Sequence, residues 1–326
     1  MTNDTSGTAG EDIPTSAVLE SAGRAAEPMR RLNHVVCFGI GLVAALLGLL
    51  PWLASGMRLP LQNLWATNTL PEAMPVALLP LSQYSTTLIP GLLITGAGAA
   101  GLVARLLRPR LARRGTVLIT VAVFLVFAIA GVQASIVVAD GLERSDAAEF
   151  YLTALMAVTI ISITMAVLVL LLAARAPVPG ATIALSVAAI AAGIWLNSLL
   201  APFGSTPSEA TMWLLGLARW VPAILVGFAI AWCGVRSVGR IAAVLVSLVA
   251  LWIGPAAITA VSAATGTRVL LQYPSEMLDY GIGVFSMAAG LPELVLPPIL
   301  VALTVAVLTV LASRLVRRLN QRVVTR

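Results

Sequence analysis

The chain has 326 residues, of which 59% are hydrophobic and only 10% are charged, and its mean hydropathy is +0.98. A soluble domain has about 25% charged residues, so this composition excludes a soluble globular protein and predicts an all-α, polytopic integral membrane helix bundle. The sequence contains no lysine, which excludes Schiff-base chemistry and a P-loop. The net charge of +6 therefore comes from arginine. These arginines lie in short loops beside apolar segments, so they indicate membrane topology and no nucleic-acid partner.

The N-terminal residues 1–33 are rich in Ser, Thr, Gly, Ala and acids. Such a composition cannot bury a core, so we predict a disordered cytoplasmic tail. The tail lacks the basic start and apolar run of a signal peptide. His34, just after it, is the only histidine. A single histidine excludes bis-histidine haem and multi-histidine zinc sites, and we predict no metal, no cofactor and no catalytic residue.

Eight apolar segments follow, each long enough to cross a bilayer as a helix of about 20 residues. The segments are continuous and lack the period-two alternation of strands. They predict a transmembrane helical domain over residues 34–316, followed by a basic cytoplasmic tail over residues 317–326. The predicted limits of the eight spans are 35–55, 84–104, 115–138, 150–174, 180–201, 212–233, 239–263 and 294–315.

Arginine placement tests the number of spans, because cytoplasmic loops carry an excess of positive residues. With the N-terminus inside, sixteen of the twenty arginines fall in inner segments, and the outer loops hold only Arg58, Arg144 and Arg268. This pattern predicts a multi-pass protein of a bacterial inner (cytoplasmic) membrane with both termini in the cytoplasm. The inner arginines are Arg24, Arg30, Arg31, Arg105, Arg108, Arg110, Arg113, Arg114, Arg175, Arg236, Arg240, Arg314, Arg317, Arg318, Arg322 and Arg326.

Two predicted outer loops are long, over residues 56–83 and 264–293. Each contains an apolar piece too short to cross a bilayer, residues 74–81 in one and residues 280–290 in the other. We favour interfacial helices packed over the bundle for both pieces. Re-entrant elements that line a cavity are the alternative.

Small residues recur four positions apart in the first two spans, where they allow helix backbones to approach closely. Examples are Ala44 with Gly48 and Gly96 with Ala100. Packing within one bundle is the simpler interpretation. A homo-oligomer interface is the alternative.

Arg219 is the one charged residue that lies well inside a predicted span, away from the span's ends, and Pro222 follows three positions later. An arginine at the centre of a membrane helix costs about 2.5–3.5 kcal/mol on insertion scales. Its side chain could extend to the outer interface beside Trp213 and Trp220. The alternatives are an ion pair inside the bundle and a site for an anionic head group or substrate.

The predicted binding site combines Arg219 with polar residues near the same outer level. Glu276 and Asp279 are three residues apart, so one helical turn would place both carboxylates on one face. We expect residues 268–283 to form a lid or vestibule over Arg219, with a solvated acidic loop as the alternative. The complete predicted set of substrate-binding residues is Arg219, Glu209, Asp279, Glu276, Glu293 and Asn197.

Three functions are compatible with these features. The first is a transporter or flippase-type permease, or a permease subunit, for a lipid-linked or anionic substrate bound near the outer face around Arg219. It would contact membrane lipids, and ATP coupling would require an ATPase partner. The second is a non-catalytic scaffold or assembly factor that binds an envelope-synthesis protein. The third, an enzyme acting on lipid-linked substrates, is less expected because the first outer loop has only one acid, Glu72.

The topology can be measured with reporter fusions. A reporter placed within residues 105–114 should be active only on the cytoplasmic side, and one within residues 140–149 only on the outer side. Finding the two reporters on the same side would mean that the third span had been assigned incorrectly.

Overall fold

The computed structural model of the chain describes residues 31–202, 205–267 and 273–324. Within these residues the fold is all-helical, and eight helical segments are long and apolar enough to cross a membrane, with Glu209–Cys233 counted as one segment. The helical class and the eight long apolar segments are therefore confirmed. Of the predicted N-terminal tail, residues 1–30 lie outside the described part of the chain, as do residues 268–272 of the second long loop.

The helices follow the apolar segments closely, but the sixth segment is divided between two helices. Two short 3₁₀ turns, Pro71–Ala73 and Gln83–Ser85, lie in the first long loop. The α-helices are α1 (His34–Ala54), α2 (Leu88–Leu106), α3 (Gly115–Gly141), α4 (Asp146–Arg175), α5 (Val178–Leu200), α6 (Glu209–Ala218), α7 (Val221–Cys233), α8 (Val238–Gly266), α9 (Pro274–Gly290) and α10 (Pro292–Val324).

The bundle has two ends, which we name by their contents. The loop end holds residues 55–87, and the arginine end holds residues 107–114. At the loop end, the hydroxyls of Thr86 and Thr265 are 2.8 Å apart and join α2 to α8. At the arginine end, the Leu32 amide donates to the Arg110 carbonyl over 2.7 Å. Successive long helices therefore run in opposite directions between the two ends.

Arg105 fastens three helices together at the arginine end. Its Nε donates to the Ala173 carbonyl over 2.6 Å, and its Nη2 donates to the Ala176 carbonyl. Its guanidinium carbon also lies 5.1 Å from the ring centroid of Trp232. These contacts satisfy carbonyls at the C-terminal end of α4, which the helix itself leaves without donors. Arg105 thus has a packing role in addition to its place in the predicted topology.

Glycines bring the helix backbones close together. A methyl group added at Gly48 on α1 would lie 2.8 Å from the Gly96 Cα on α2. A methyl group added at Gly101 would lie 2.8 Å from the Leu170 carbonyl oxygen on α4. The small-residue faces of α1 and α2 are therefore used for contacts inside this chain, the simpler of the two interpretations of their spacing.

The first long loop packs into the bundle in a form that the sequence did not predict. Residues 74–81 form no helix; they are irregular, and their apolar side chains join the core. The Trp52 indole donates to the Ala77 carbonyl over 2.8 Å, and the Gln133 side-chain carbonyl accepts from the Leu78 amide over 2.8 Å. Because polar side chains of α1 and α3 partner its backbone, this buried segment does not need to be helical. The favoured interfacial helix is therefore wrong for residues 74–81.

The glycine contact between α1 and α2 can be tested with two matched substitutions. Gly48→Val should lower the free energy of unfolding by about 1–3 kcal/mol, because its side chain would overlap the backbone of α2. Gly39→Val should be nearly neutral, since a methyl group there meets nothing within 4 Å. Thermal unfolding of the purified variants in detergent measures both. Equal midpoints would show that the contact does not limit stability.

Candidate functional site

The sixth apolar segment is interrupted at Arg219. Helix α6 ends at Ala218 and α7 begins at Val221, with Pro222 as its second residue. Proline has no amide hydrogen to donate to the carbonyl four residues earlier, so the regular ladder stops there. The intervening Trp220 amide donates to the Leu217 carbonyl over 3.1 Å in a tighter turn. The span predicted over 212–233 is thus present as one apolar segment, Glu209–Cys233, with a short turn at Arg219 and Trp220 for the reason that Pro222 suggested.

A second interruption separates α9 from α10. Leu291, between them, is extended, with φ −87° and ψ 110°. Helix α9 runs antiparallel along α8: Gly281 packs against Ala264, and the Trp252 indole donates to the Ala289 carbonyl over 3.0 Å. Trp252 lies midway along α8, so α9 descends from the loop end to about the middle of the bundle. This course matches the re-entrant alternative for residues 280–290 better than a helix lying across the end.

The two interruptions meet at one cavity of about 350 Å³. From the first interruption it receives Arg219 and Pro222, and from the second it receives Ala288 and Leu294. Asn197 on α5 also lines it. The cavity therefore brings together two of the six predicted site residues, Arg219 and Asn197, from different helices.

Arg219 keeps most of its hydrogen-bonding capacity. Its guanidinium carbon lies 4.5 Å from the ring centroid of Trp220, a cation–π contact. The side chain is exposed and, in the described part of the chain, forms no ion pair with a carboxylate. Its five N–H donors can therefore bind a carboxylate or phosphate in a bidentate manner.

The four predicted acids do not line the Arg219 cavity. Glu209 is exposed at the start of α6, and Glu293 is exposed at the start of α10. Glu276 and Asp279 are exposed on the half of α9 nearer the loop end. From the described part of the expected 268–283 lid, no residue reaches the cavity. Helix α9 contributes Ala288 instead, near its C-terminal end.

Sequence reasoning missed the contribution of α8 and a close contact between α5 and α7. Pro255 lies inside α8 and lines the cavity beside Thr259, whose hydroxyl donates to the Pro255 carbonyl over 2.9 Å. A proline within an apolar segment was the available signal. On α5, a methyl group added at Gly193 would lie 2.7 Å from the Pro222 Cγ. Gly193 therefore lets α5 pack directly against the helix interruption.

A larger cavity of about 870 Å³ lies within the first long loop, and many of its polar groups are already engaged. The Arg58 guanidinium donates to the carbonyls of Glu72 and Met74, and the Tyr84 hydroxyl donates to the Asn63 side-chain carbonyl over 3.0 Å. These bonds hold the loop together. Arg58 therefore stabilises the loop, whereas the N–H donors of Arg219 are available to a ligand.

No protein-family model, curated protein or solved structure matches this chain. The chemistry of the Arg219 cavity is accordingly the guide to function. Among the residues that the structure describes, its lining supplies one cation, one amide and one hydroxyl, but no carboxylate, histidine or cysteine. Such a set can bind an anion and orient it through charge and hydrogen bonds.

The course of α9 can be measured with nitroxide labels. In a protein with Cys37 and Cys233 replaced by alanine, labels at Glu276 and Met287 should differ in depth by about 16 Å, the rise of eleven helical residues. The label at Met287 should be more accessible to oxygen and less accessible to a water-soluble nickel chelate. Labels at Glu143 and Ile129 calibrate the loop end and the middle of α3. Equal depths at 276 and 287 would place α9 across the end of the bundle.

Proposed function

We propose that the chain is a multi-pass protein of a bacterial cytoplasmic membrane, with its loop end outside and both termini in the cytoplasm. The eight long apolar helices support this proposal. So do large apolar side chains that are exposed along the helices, such as Ile129 and Ile161, which are 61% and 64% exposed. Continuous apolar surface of this kind is costly in water and favourable against lipid. The predominance of arginine at the opposite end from residues 55–87 supports the orientation.

We propose further that the protein is a transporter or flippase-type permease, or a permease subunit, for an anionic or lipid-linked substrate. The observation that carries this proposal is the meeting of two interrupted helices at a cavity with one unpaired cation. Non-helical backbone within an apolar bundle is tolerated where it lines a cavity, and membrane transporters commonly place substrate sites at such interruptions. Arg219 would bind the anionic group.

The electrostatics of Arg219 favour an anionic ligand over a structural role. An arginine within a membrane-spanning segment is costly, and an internal carboxylate would be the usual compensation. No described carboxylate provides it. A substrate anion would supply both the opposite charge and the hydrogen-bond acceptors, so binding would be strongest for groups such as phosphate or carboxylate.

The two interruptions also provide for movement. The segments on either side, α6 and α7 in one case and α9 and α10 in the other, are separate helices that can shift against each other about a short connection. Small hinge movements at element ends are a common basis of transport conformational change. Energy coupling through an ATPase, or cooperation with an envelope-synthesis protein, belongs to this proposal as a partner still to be identified.

Leaflet-resolved lipid and metabolite profiling of a deletion strain tests the proposal. Loss of the gene should cause an anionic lipid-linked precursor to accumulate on the cytoplasmic leaflet. Wild type should restore the distribution, whereas Arg219→Gln should reduce its rate at least about tenfold, the loss expected on removing a hydrogen bond to a charged group. Arg219→Lys, which keeps the charge but not the bidentate geometry, should restore it in part.

The control is Arg144→Gln, which removes an exposed arginine from an outer loop and should complement fully at normal expression. Complete complementation by Arg219→Gln would contradict the proposed site. An unmodified product without leaflet imbalance would instead indicate an enzyme. An unchanged lipid distribution, together with loss of an envelope complex, would indicate a scaffold.

A further inference from the structure

A second cavity, an apolar groove of about 560 Å³, lies between α2, α5 and α8. Its lining is aliphatic except for Thr86 and Thr87 at the loop end. The groove opens on the surface of the bundle, where Ile253 and Val261 are 41% and 46% exposed. A groove of this kind offers hydrocarbon contacts and almost no hydrogen bonds.

The groove adjoins the Arg219 cavity. Ile190 and Ile194 on α5 and Ile258 on α8 line both spaces. Along α8 the groove extends over residues 246–261, about 22 Å at the helical rise, which exceeds the roughly 15 Å of hydrocarbon in one leaflet. An extended apolar chain can therefore lie in the groove while a polar group attached to it enters the neighbouring cavity.

We propose that the ligand of this protein is an anionic lipid, with a hydrocarbon chain in the α2–α5–α8 groove and its charged head group at Arg219. This inference rests on the proposed function and names its substrate class. The inference rests on the position of the two spaces. The cavity that holds Arg219, which has no ion pair among the described residues, and the apolar groove, which is long enough for a lipid chain, are lined in part by the same residues. A soluble anion would bind only at Arg219, and a neutral lipid would bind only in the groove.

The dimensions favour a lipid chain over a protein helix as the occupant. A helix about 10 Å in diameter over the same 22 Å occupies roughly 1,700 Å³, so most of it would lie outside the groove of about 560 Å³. Beside the groove, α2 and α8 both pack closely on α5. A methyl group added at Gly91 would lie 2.8 Å from Ile194, and one added at Gly254 would lie 3.3 Å from Ile190.

Photolabelling of the full-length protein in detergent tests the inference. The probes are phosphatidylglycerol and phosphatidylcholine that carry a diazirine on one acyl chain. The anionic probe should label peptides containing residues 187–194 and 246–261 about tenfold more than the zwitterionic probe, and Arg219→Gln should abolish this preference. Ala250→Phe and Ala257→Phe, two independent fillings of the groove, should each remove the labelling.

Ala242→Phe, on the same helix but outside the groove, is the matched control and should label like wild type. Equal labelling by both lipids, or labelling unchanged in the filled variants, would overturn the inference. Either result would mean that the groove contacts membrane lipids without selecting an anionic one. Absence of labelling would also overturn it, including the case in which a second copy covers the groove. If labelling fails while Arg219→Gln still prevents complementation, the lipid inference alone is lost. If labelling succeeds while Arg219→Gln complements, the transport proposal is lost.

Discussion

The constraint on which this structure depends is that every backbone N–H and C=O in its apolar segments needs a partner within the protein. In hydrocarbon, an unpartnered group would cost several kcal/mol, roughly the cost of losing a hydrogen bond without compensation by water. Uninterrupted helices meet the requirement by themselves, which explains why so much of the chain is helical. Where the chain is not helical, side chains form hydrogen bonds with the backbone instead. Trp52 and Gln133 bind the irregular segment 74–81, and Arg105 binds the last carbonyls near the end of α4.

The same constraint explains where a binding cavity can form. An interruption exposes backbone groups and breaks the regular packing of side chains, so space and polar character arise together. In this chain both interruptions are associated with proline, Pro222 at the start of α7 and Pro292 at the start of α10. Pro255 removes one backbone donor from α8 at the same cavity, although α8 stays helical there. Prolines on three helical paths therefore lie around Arg219, and the one charge well inside a predicted span lies where the packing has room for a ligand.

The helices were predictable because length and hydropathy are local properties, whereas the site depended on contacts between distant segments. The pair Pro222 and Arg219 indicated a disturbed helix from sequence alone. The path of α9 could not be inferred, because residues 280–290 are equally apolar whether they lie across the bundle or descend beside α8. The acids illustrate the same limit: Glu276 and Asp279 share a helical stretch as expected, but the stretch is oriented so that Ala288, not either carboxylate, reaches the cavity. Residues 74–81 were misjudged because their partner, Gln133, is more than fifty residues away in the chain.

No carboxylate among the described residues pairs with Arg219, and this has consequences for binding strength and release. A fixed internal ion pair would satisfy the arginine permanently, and a substrate anion would then have to displace an existing partner. With the Trp220 ring beside it and no ion pair in the described part of the chain, Arg219 gains most of its electrostatic stabilisation when an anion enters, so the charged site and its ligand stabilise each other. Transport also requires release, and a single arginine with one amide and one hydroxyl binds more weakly than a closed cage of several cations. The adjoining apolar groove would then contribute affinity through hydrocarbon contact, which is not directional and permits a chain to slide. A site of modest charge beside a smooth apolar groove is therefore better suited to passing an anionic lipid onward than to retaining it.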